Sequence, residues 1–367
     1  MKTCQHWLAL GAAAFLVACG GDDTSSDVPE AQDLETTETE TGPTRLAPAL
    51  ISTGWPDTDA PVVPEQIGMT ANGIEEFRGA ITAAVNERGA AGMTALLVRD
   101  GHVASFVSAG MMPAGDAPAG NSTVWRAPAL TAPVISTGLL MLYDEGQFSL
   151  DEPAAYYLPE GRLGPAGTEE QGPTIAQLMA GDGTADPDLR LQAEVIEYIS
   201  GEPVDVYLDN RIFEPLGMMS MRVMAGDNPD DLTLEASLRD MARFTQMLAS
   251  GGNLGGARIL DGGTVATMAT DHLPDDRWAL NSGLGEDMTP GVLGRGLGVA
   301  VLRSAGVTGP GATQGSFFAA GEGSFFLVDR DQGLVLVGLS EGTGGRDGDA
   351  DVLRAAASAA YGALATE

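Results

Sequence analysis

Two strand–turn–strand patterns, one near each end of the globular sequence, constrain the fold more than any other feature. Residues 95–98 and 103–107 are apolar segments on either side of Asp100-Gly101, a dipeptide that two-residue hairpin turns favour. Residues 324–328 and 334–339 flank a polar turn at 330–333 in the same way. Elsewhere the pattern is mostly helical. Ile74, Phe77, Ile81 and Val85 recur at helical spacing. Ser237 is placed to cap a helix whose Leu238, Met241, Phe244 and Leu248 share one face, before Gly251-Gly252 stops it. An alanine-rich helix over residues 351–364 closes the chain. The economical way to join these pieces is one antiparallel sheet assembled from both ends, flanked by helices and carrying an inserted helical lobe. That is an α/β (α+β) architecture.

The N-terminus bears on the compartment. Met1 and Lys2 precede an apolar run from Trp7 to Ala18 that is too short to span a bilayer comfortably. It ends in Leu16-Val17-Ala18-Cys19. Residues 1–18 are therefore expected to be a secretory signal. The Leu-Val-Ala-Cys ending resembles a bacterial lipobox, which implies lipidation at Cys19 and attachment to a membrane of the cell envelope. Gly20, where an Asp would suggest inner-membrane retention, points by analogy to the outer membrane. The other cysteine, Cys4, leaves with the signal, so no disulfide forms within the mature chain. Residues 21–42 hold eight acids and no base, too few apolar groups to offset the entropy of ordering. Residues 19–60 are expected to be an acidic, disordered tether and residues 61–367 one folded domain, with globular composition returning after about Trp55.

From Cys19 onward the chain has 18 arginines, no lysine and 51 acids, a net charge of 18 − 51 = −33. Such a surface repels nucleic acid and anionic headgroups, which excludes both as partners.

A run of segments carries a family likeness. Thr123-Val124-Trp125-Arg126-Ala127-Pro128-Ala129-Leu130-Thr131-Ala132-Pro133 resembles the nucleophile segment of the β-lactamase-related serine hydrolases, which include class C β-lactamases, DD-peptidases and esterases. The resemblance continues through residues 142–153, Ile212-Phe213-Glu214-Pro215-Leu216-Gly217-Met218, Asp240-Met241-Ala242-Arg243-Phe244, residues 294–301 and Phe325-Phe326-Leu327-Val328-Asp329. It spans residues 65 to 362 and implies the β-lactamase/DD-peptidase fold for the domain.

The family's chemistry uses Ser-x-x-Lys at the start of a buried helix, where a spacing of three lets the lysine take the serine proton. The matching positions are Ala129 and Ala132, and no lysine remains in the mature chain to complete the pair. The family's Tyr-x-Asn slot maps to Thr184-Ala185-Asp186, after Leu178-Met179-Ala180-Gly181-Asp182-Gly183, which lacks the usual histidine and serine. The third element, Lys-Thr-Gly or a variant on an edge strand, is replaced by Phe318-Ala319-Ala320-Gly321. A backbone oxyanion donor would survive there, but a donor without a nucleophile makes no acyl-enzyme. The resemblance therefore implies a fold whose catalytic residues are gone. Ala129, Ala132, Thr184, Asp186, Phe318, Ala319 and Gly321 are expected to line a vestigial pocket that admits a cell-wall peptide or a small acyl ligand. The alternative is an active hydrolase with another arrangement, drawing on Thr131, Ser136 or Thr184 as nucleophile and Asp182 or Asp186 as base.

Other constellations are weaker. Gly338-Leu339-Ser340-Glu341-Gly342 matches G-x-S-x-G, but no histidine follows it, so chance is the better account. His102 and His272 are far apart and are expected to be solvated. Asp347-Gly348-Asp349-Ala350-Asp351 lacks a distal Glu and suits an acidic turn or helix cap. No metal or cofactor is expected. Val134, Ile135, Leu139, Leu140, Met141 and Leu142 are expected to be core.

Overall fold

Asp100 and Gly101 take φ of 50° and 78°, the two positive values that a tight hairpin turn with native twist requires. They join β1 (Gly92–Arg99) to β2 (His102–Gly110). The computed structural model of the protein describes residues 45–365, apart from 53, 89, 114, 116, 160–161, 164–171, 182–187, 227–230, 274–290, 306–310 and 342–345. The signal-like residues, Cys19, the acidic stretch to residue 42, Asp182, Thr184 and Asp186 lie outside the described residues. The chain divides into Met1–Gly42 and Pro43–Glu367, and all the described residues belong to the second unit.

Its remaining strands are β3 (Val124–Arg126), β4 (Arg222–Ala225), β5 (Leu232–Ser237), β6 (Asn253–Leu254), β7 (Ala257–Arg258), β8 (Leu293–Arg295), β9 (Ala300–Leu302), β10 (Phe317–Gly321), β11 (Ser324–Asp329) and β12 (Leu334–Ser340). The helices are α1 (Ala71–Arg88), α2 (Thr131–Asp144), α3 (Ile175–Ala180), α4 (Leu189–Ser200), α5 (Val204–Leu208), α6 (Glu214–Leu216), α7 (Leu238–Ala249), α8 (Gly262–Met268) and α9 (Arg346–Gly362).

Both hairpins expected from the sequence meet in one antiparallel sheet of order β2-β1-β12-β11-β10-β9-β8. β1 pairs with β12 from Met93↔Ser340 to Arg99↔Leu334, so strands from opposite ends of the chain are neighbours within it. Because side chains alternate along a strand, each strand feeds two cores. Met93, Ala95, Leu97, Phe325, Leu327 and Leu336 pack with Phe77 and Ile81 of α1 and Leu353 and Ala360 of α9. Leu96, Val98, Phe326, Val328, Val335 and Val337 face the layer that holds α2, α4 and α7. Ser237 caps α7, accepting from the Asp240 amide at 3.2 Å.

Three expectations shift. Residues 45–60, expected in the tether, bond to the body instead. The Ala49 amide donates to the Asp100 carbonyl at 2.8 Å, and the Trp55 indole donates to the Gly101 carbonyl at 2.9 Å. Buried Arg243 donates to the Trp55 carbonyl. The last helix begins at Arg346 rather than Asp351, so the segment 347–351 lies in its first turns. The middle of the chain also contains a small sheet, β3-β5-β4, whose outer strands are too short to show a period in the sequence.

Buried Asp329 joins three parts of this frame. Its carboxylate accepts from Tyr361 Oη of α9 at 2.9 Å, Thr313 Oγ1 at 2.7 Å, the Thr313 amide at 3.1 Å and the Gln332 amide at 3.0 Å. Tyr361→Phe removes one donor from a buried charge and is expected to lower stability by about 1–3 kcal/mol in urea unfolding. Asp240 gives a pH-dependent test. Burial pushes its carboxyl above the ordinary aspartate value, against the lowering effect of the Ser220 amide bond. For a raised folded pKa, the stabilising contribution is full below the unfolded value of about 3.9 and is lost as pH rises through the folded one. The stability of Asp240→Asn relative to the parent is therefore expected to increase as pH rises from about 3.9 through the raised folded pKa. A pH-independent difference in urea midpoints would contradict this.

Candidate functional site

The site begins at Trp125, fully buried in β3, whose indole donates to Thr94 Oγ1 of β1 at 3.1 Å. β3 lies antiparallel to β5, and Leu234 of β5 grips the segment after β3 at two points. Its carbonyl accepts from the Ala127 amide at 2.8 Å, and its amide donates to Thr131 Oγ1 at 2.9 Å. Between these bonds lies a tight turn, Pro128–Leu130, with Pro128 at its first position, where a missing N–H is harmless. α2 runs on from there into the core. Thr131 and residues 133–142 are buried, whereas Ala129 and Ala132 remain partly open to solvent.

Across from the turn is the end of β10. A methyl built on Gly321 would stand 2.9 Å from Ala129 Cβ, so the structure does bring Ala129 and Gly321 together. Ala319 lies on the same side of the sheet, in the α2 layer. Phe318 does not belong there. Strand alternation turns it into the opposite core with α1 and α9, fully buried, and it lines no pocket beside Ala129. Ala132 is backed by Gly298, a residue for which no role was assigned from the sequence although residues 294–301 carried the resemblance. Gly298 has φ of 80°, and its amide donates to the Met179 carbonyl at 3.2 Å. A Cβ there would overlap Ser136 Oγ and stand 3.0 Å from the Ala132 carbonyl. Thr184 and Asp186 lie outside the described residues, as does Asp182.

The described hydroxyls near α2 are engaged. Thr131 Oγ1 holds the Leu234 amide. Ser136, fully buried, donates to Gln192 Oε1 at 2.9 Å, and Gln192 Nε2 donates to the Leu178 carbonyl at 3.3 Å. Neither is placed to attack a substrate. The tyrosines with displaced pKa values move away from phenolate chemistry. Tyr157 is pushed up to about 12 by burial and then by its hydrogen bond to Glu152, and Tyr207 to about 12 by burial.

Ser340 sits inside β12, buried, and donates to the Gly92 carbonyl at 2.8 Å, so the G-x-S-x-G match forms no exposed elbow. The histidines are not simply solvated. A ring nitrogen of His102 meets the Ala47 carbonyl at 2.8 Å, and one of His272 meets the Thr267 carbonyl at 2.9 Å. Among the described residues no cluster of three His, Cys, Asp or Glu could hold a metal, and no helix is long and apolar enough to cross a membrane.

The sequence model of the Beta-lactamase family matches residues 77–181 and 185–361. Among solved structures, a penicillin-binding protein homologue from Caulobacter crescentus is similar at 17% identity and TM-score 0.64, over 81% of this chain and 99% of that one. Simvastatin synthase from Aspergillus terreus is similar at 15% identity and TM-score 0.61, over 80% and 95%. A β-lactamase from Mycobacterium bovis is similar at 20% identity and TM-score 0.56, over 76% and 96%. At these identities the likeness is one of fold. No curated protein sequence matches the chain.

The close approach at Gly298 is testable. Gly298→Ala adds a methyl against Ser136 and the Ala132 carbonyl at a positive φ, and is expected to destabilise by about 2–3 kcal/mol. An unchanged thermal midpoint would refute that packing.

Proposed function

The chain belongs to the beta-lactamase family, and from that membership together with its two alanines at the reacting positions we propose that it is a non-catalytic member with a binding or scaffolding role in the cell envelope. One observation carries the reading: Ala129 and Ala132, which the family resemblance aligns with the Ser and Lys of Ser-x-x-Lys, lie partly open to solvent at the start of α2 and offer neither nucleophile nor base. The lack of any lysine after Lys2 removes the partner in every register. The engagement of Thr131 and Ser136 supports the same reading against an improvised hydrolase.

The ligand proposed for the cleft between Ala129, Ala132 and Gly321 is a cell-wall peptide or a small acyl compound. Cys19 is proposed as the lipidated residue, holding the protein to an envelope membrane, with the outer membrane favoured, through the acidic segment beyond it.

Intact-mass spectrometry after incubation with a fluorophosphonate and, separately, a penicillin tests the chemistry. No adduct is expected from either reagent. A stoichiometric adduct would identify an active hydrolase with another nucleophile, and peptide mapping would locate it. Muropeptides are expected to raise the melting temperature, and a screen of them without any shift would remove the ligand proposal. Mass analysis of the native membrane fraction is expected to find Cys19 acylated, and an unmodified thiol would end the anchoring proposal.

A further inference from the structure

The N-terminal segment meets the body at the end of the sheet opposite the Ala129 cleft. Arg45 Nη2 stands 3.5 Å from Asp100 Oδ2, at the turn between β1 and β2. Its Cζ lies 3.7 Å from the position of a Cβ on Gly68. Arg99 of β1 is level with Leu334 of β12, which is level with Asp329 of β11. At the other end of β11, Ser324 pairs with Gly321, which adjoins Ala129. The two ends are therefore about 17 Å apart at roughly 3.4 Å per residue.

Three exposed aliphatic side chains surround the point of entry, each beside a residue bonded to the stretch 100–103. Leu50 follows Ala49, whose amide donates to the Asp100 carbonyl at 2.8 Å. Leu46 precedes Ala47, whose carbonyl meets a ring nitrogen of His102 at 2.8 Å. Val63 follows Val62, whose amide donates to the Val103 carbonyl at 3.0 Å. Gln66 links two of them: its carbonyl accepts from the Leu46 amide at 2.7 Å, and its amide donates to the Val63 carbonyl at 3.0 Å. Leu50 is 99% exposed, the highest value for a large apolar residue among the described residues, and Val63 and Leu46 are 55% and 36% exposed. Ala49 Cβ and Ile51 Cδ1 each lie 3.2 Å from the position of a Cβ on Gly101. With both neighbours turned onto that glycine, Leu50 is held pointing away from the body.

Charge also sets this end apart. Arg45, Arg99 and Arg330 stand there with Asp100, Glu65, Asp331 and Asp329, the last buried and held by four donors. Three arginines against four acids is close to balance, in a mature chain whose net charge is −33. Such an end suits a zwitterionic surface better than an anionic or a cationic one. Chain length says which surface is within reach. Arg45 follows Cys19 by 26 residues, a contour of at most about 90 Å. Resting on the reading of Cys19 as the acylated residue, we propose that Leu46, Leu50 and Val63 sit in the zwitterionic headgroup layer of the membrane that holds the anchor. Apolar groups at that boundary bury about 5–10 Å deep. The short contour keeps the surface close, so a small patch is enough to orient the body. The Ala129 cleft then faces away from the membrane, toward polymers and solutes of the aqueous envelope rather than lipid-borne compounds.

The mature acylated chain, reconstituted into phosphatidylcholine vesicles that carry a headgroup nitroxide, tests this. Acylation leaves Cys19 without a thiol, so a fluorophore can be placed at Leu50→Cys or, at the cleft end of β12, at exposed Glu341→Cys. Quenching at position 50 is expected to exceed that at 341 by on the order of threefold. Adding Leu46→Ser and Val63→Ser, both at exposed positions, is expected to lower the quenching at 50 about twofold. Quenching unchanged by that pair would assign it to the fluorophore and overturn the proposal, as would equal quenching at 50 and 341. A chain that floats with the vesicles but is not quenched at 50 would overturn this inference and leave the anchor standing. A chain that fails to float would overturn the anchor, and this inference with it.

Discussion

The antiparallel pairing of β1 with β12 is the constraint on which the rest of the structure depends. It brings residues 93–99 beside residues 334–340, closing a loop that contains most of the chain. Loop closure on that scale costs entropy that only a large contact can offset. The offset comes from both faces of the two strands, which are buried along their length. Everything between them, from α2 to β9, is an excursion from this pair.

The helical excursion places α2 against the sheet, with Ala129 just before its start brought beside Gly321 of β10. The supports of the site are intact: Trp125 on Thr94, Leu234 around the Pro128 turn, and Gly298 behind Ala132. Functional polar groups in half-enclosed sites are commonly held at a cost to stability. Alanine at positions 129 and 132 places no polar group there to be desolvated.

Much of the frame was legible in the sequence because it depends on local signals. Asp100-Gly101 specified its turn, Ser237 its cap, and the period of Ile74, Phe77 and Ile81 its helix. The short strands β3, β4 and β8 were not legible, since three or four residues carry no period and form only because long-range partners hold them. The same limit applied to the site. Ala129 and Gly321 could be placed by motif order, but Phe318 was assigned to the wrong face, because a motif position does not say which way its strand alternates.

Sequence alone determined which atoms are present: no lysine after residue 2, alanine at positions 129 and 132, and a strongly negative net charge. It also determined the sheet's two hairpins, through turn chemistry that acts over four residues. Tertiary structure alone decided which hydroxyls are engaged, since Thr131 meets Leu234 and Ser136 meets Gln192 across separations of 103 and 56 residues. It likewise decided that the segment carrying Leu46 and Leu50, far from Asp100 in the chain, is bonded against it. Composition fixes the inventory of charges and donors; their pairing is set by which distant segments the packed core brings within hydrogen-bond reach.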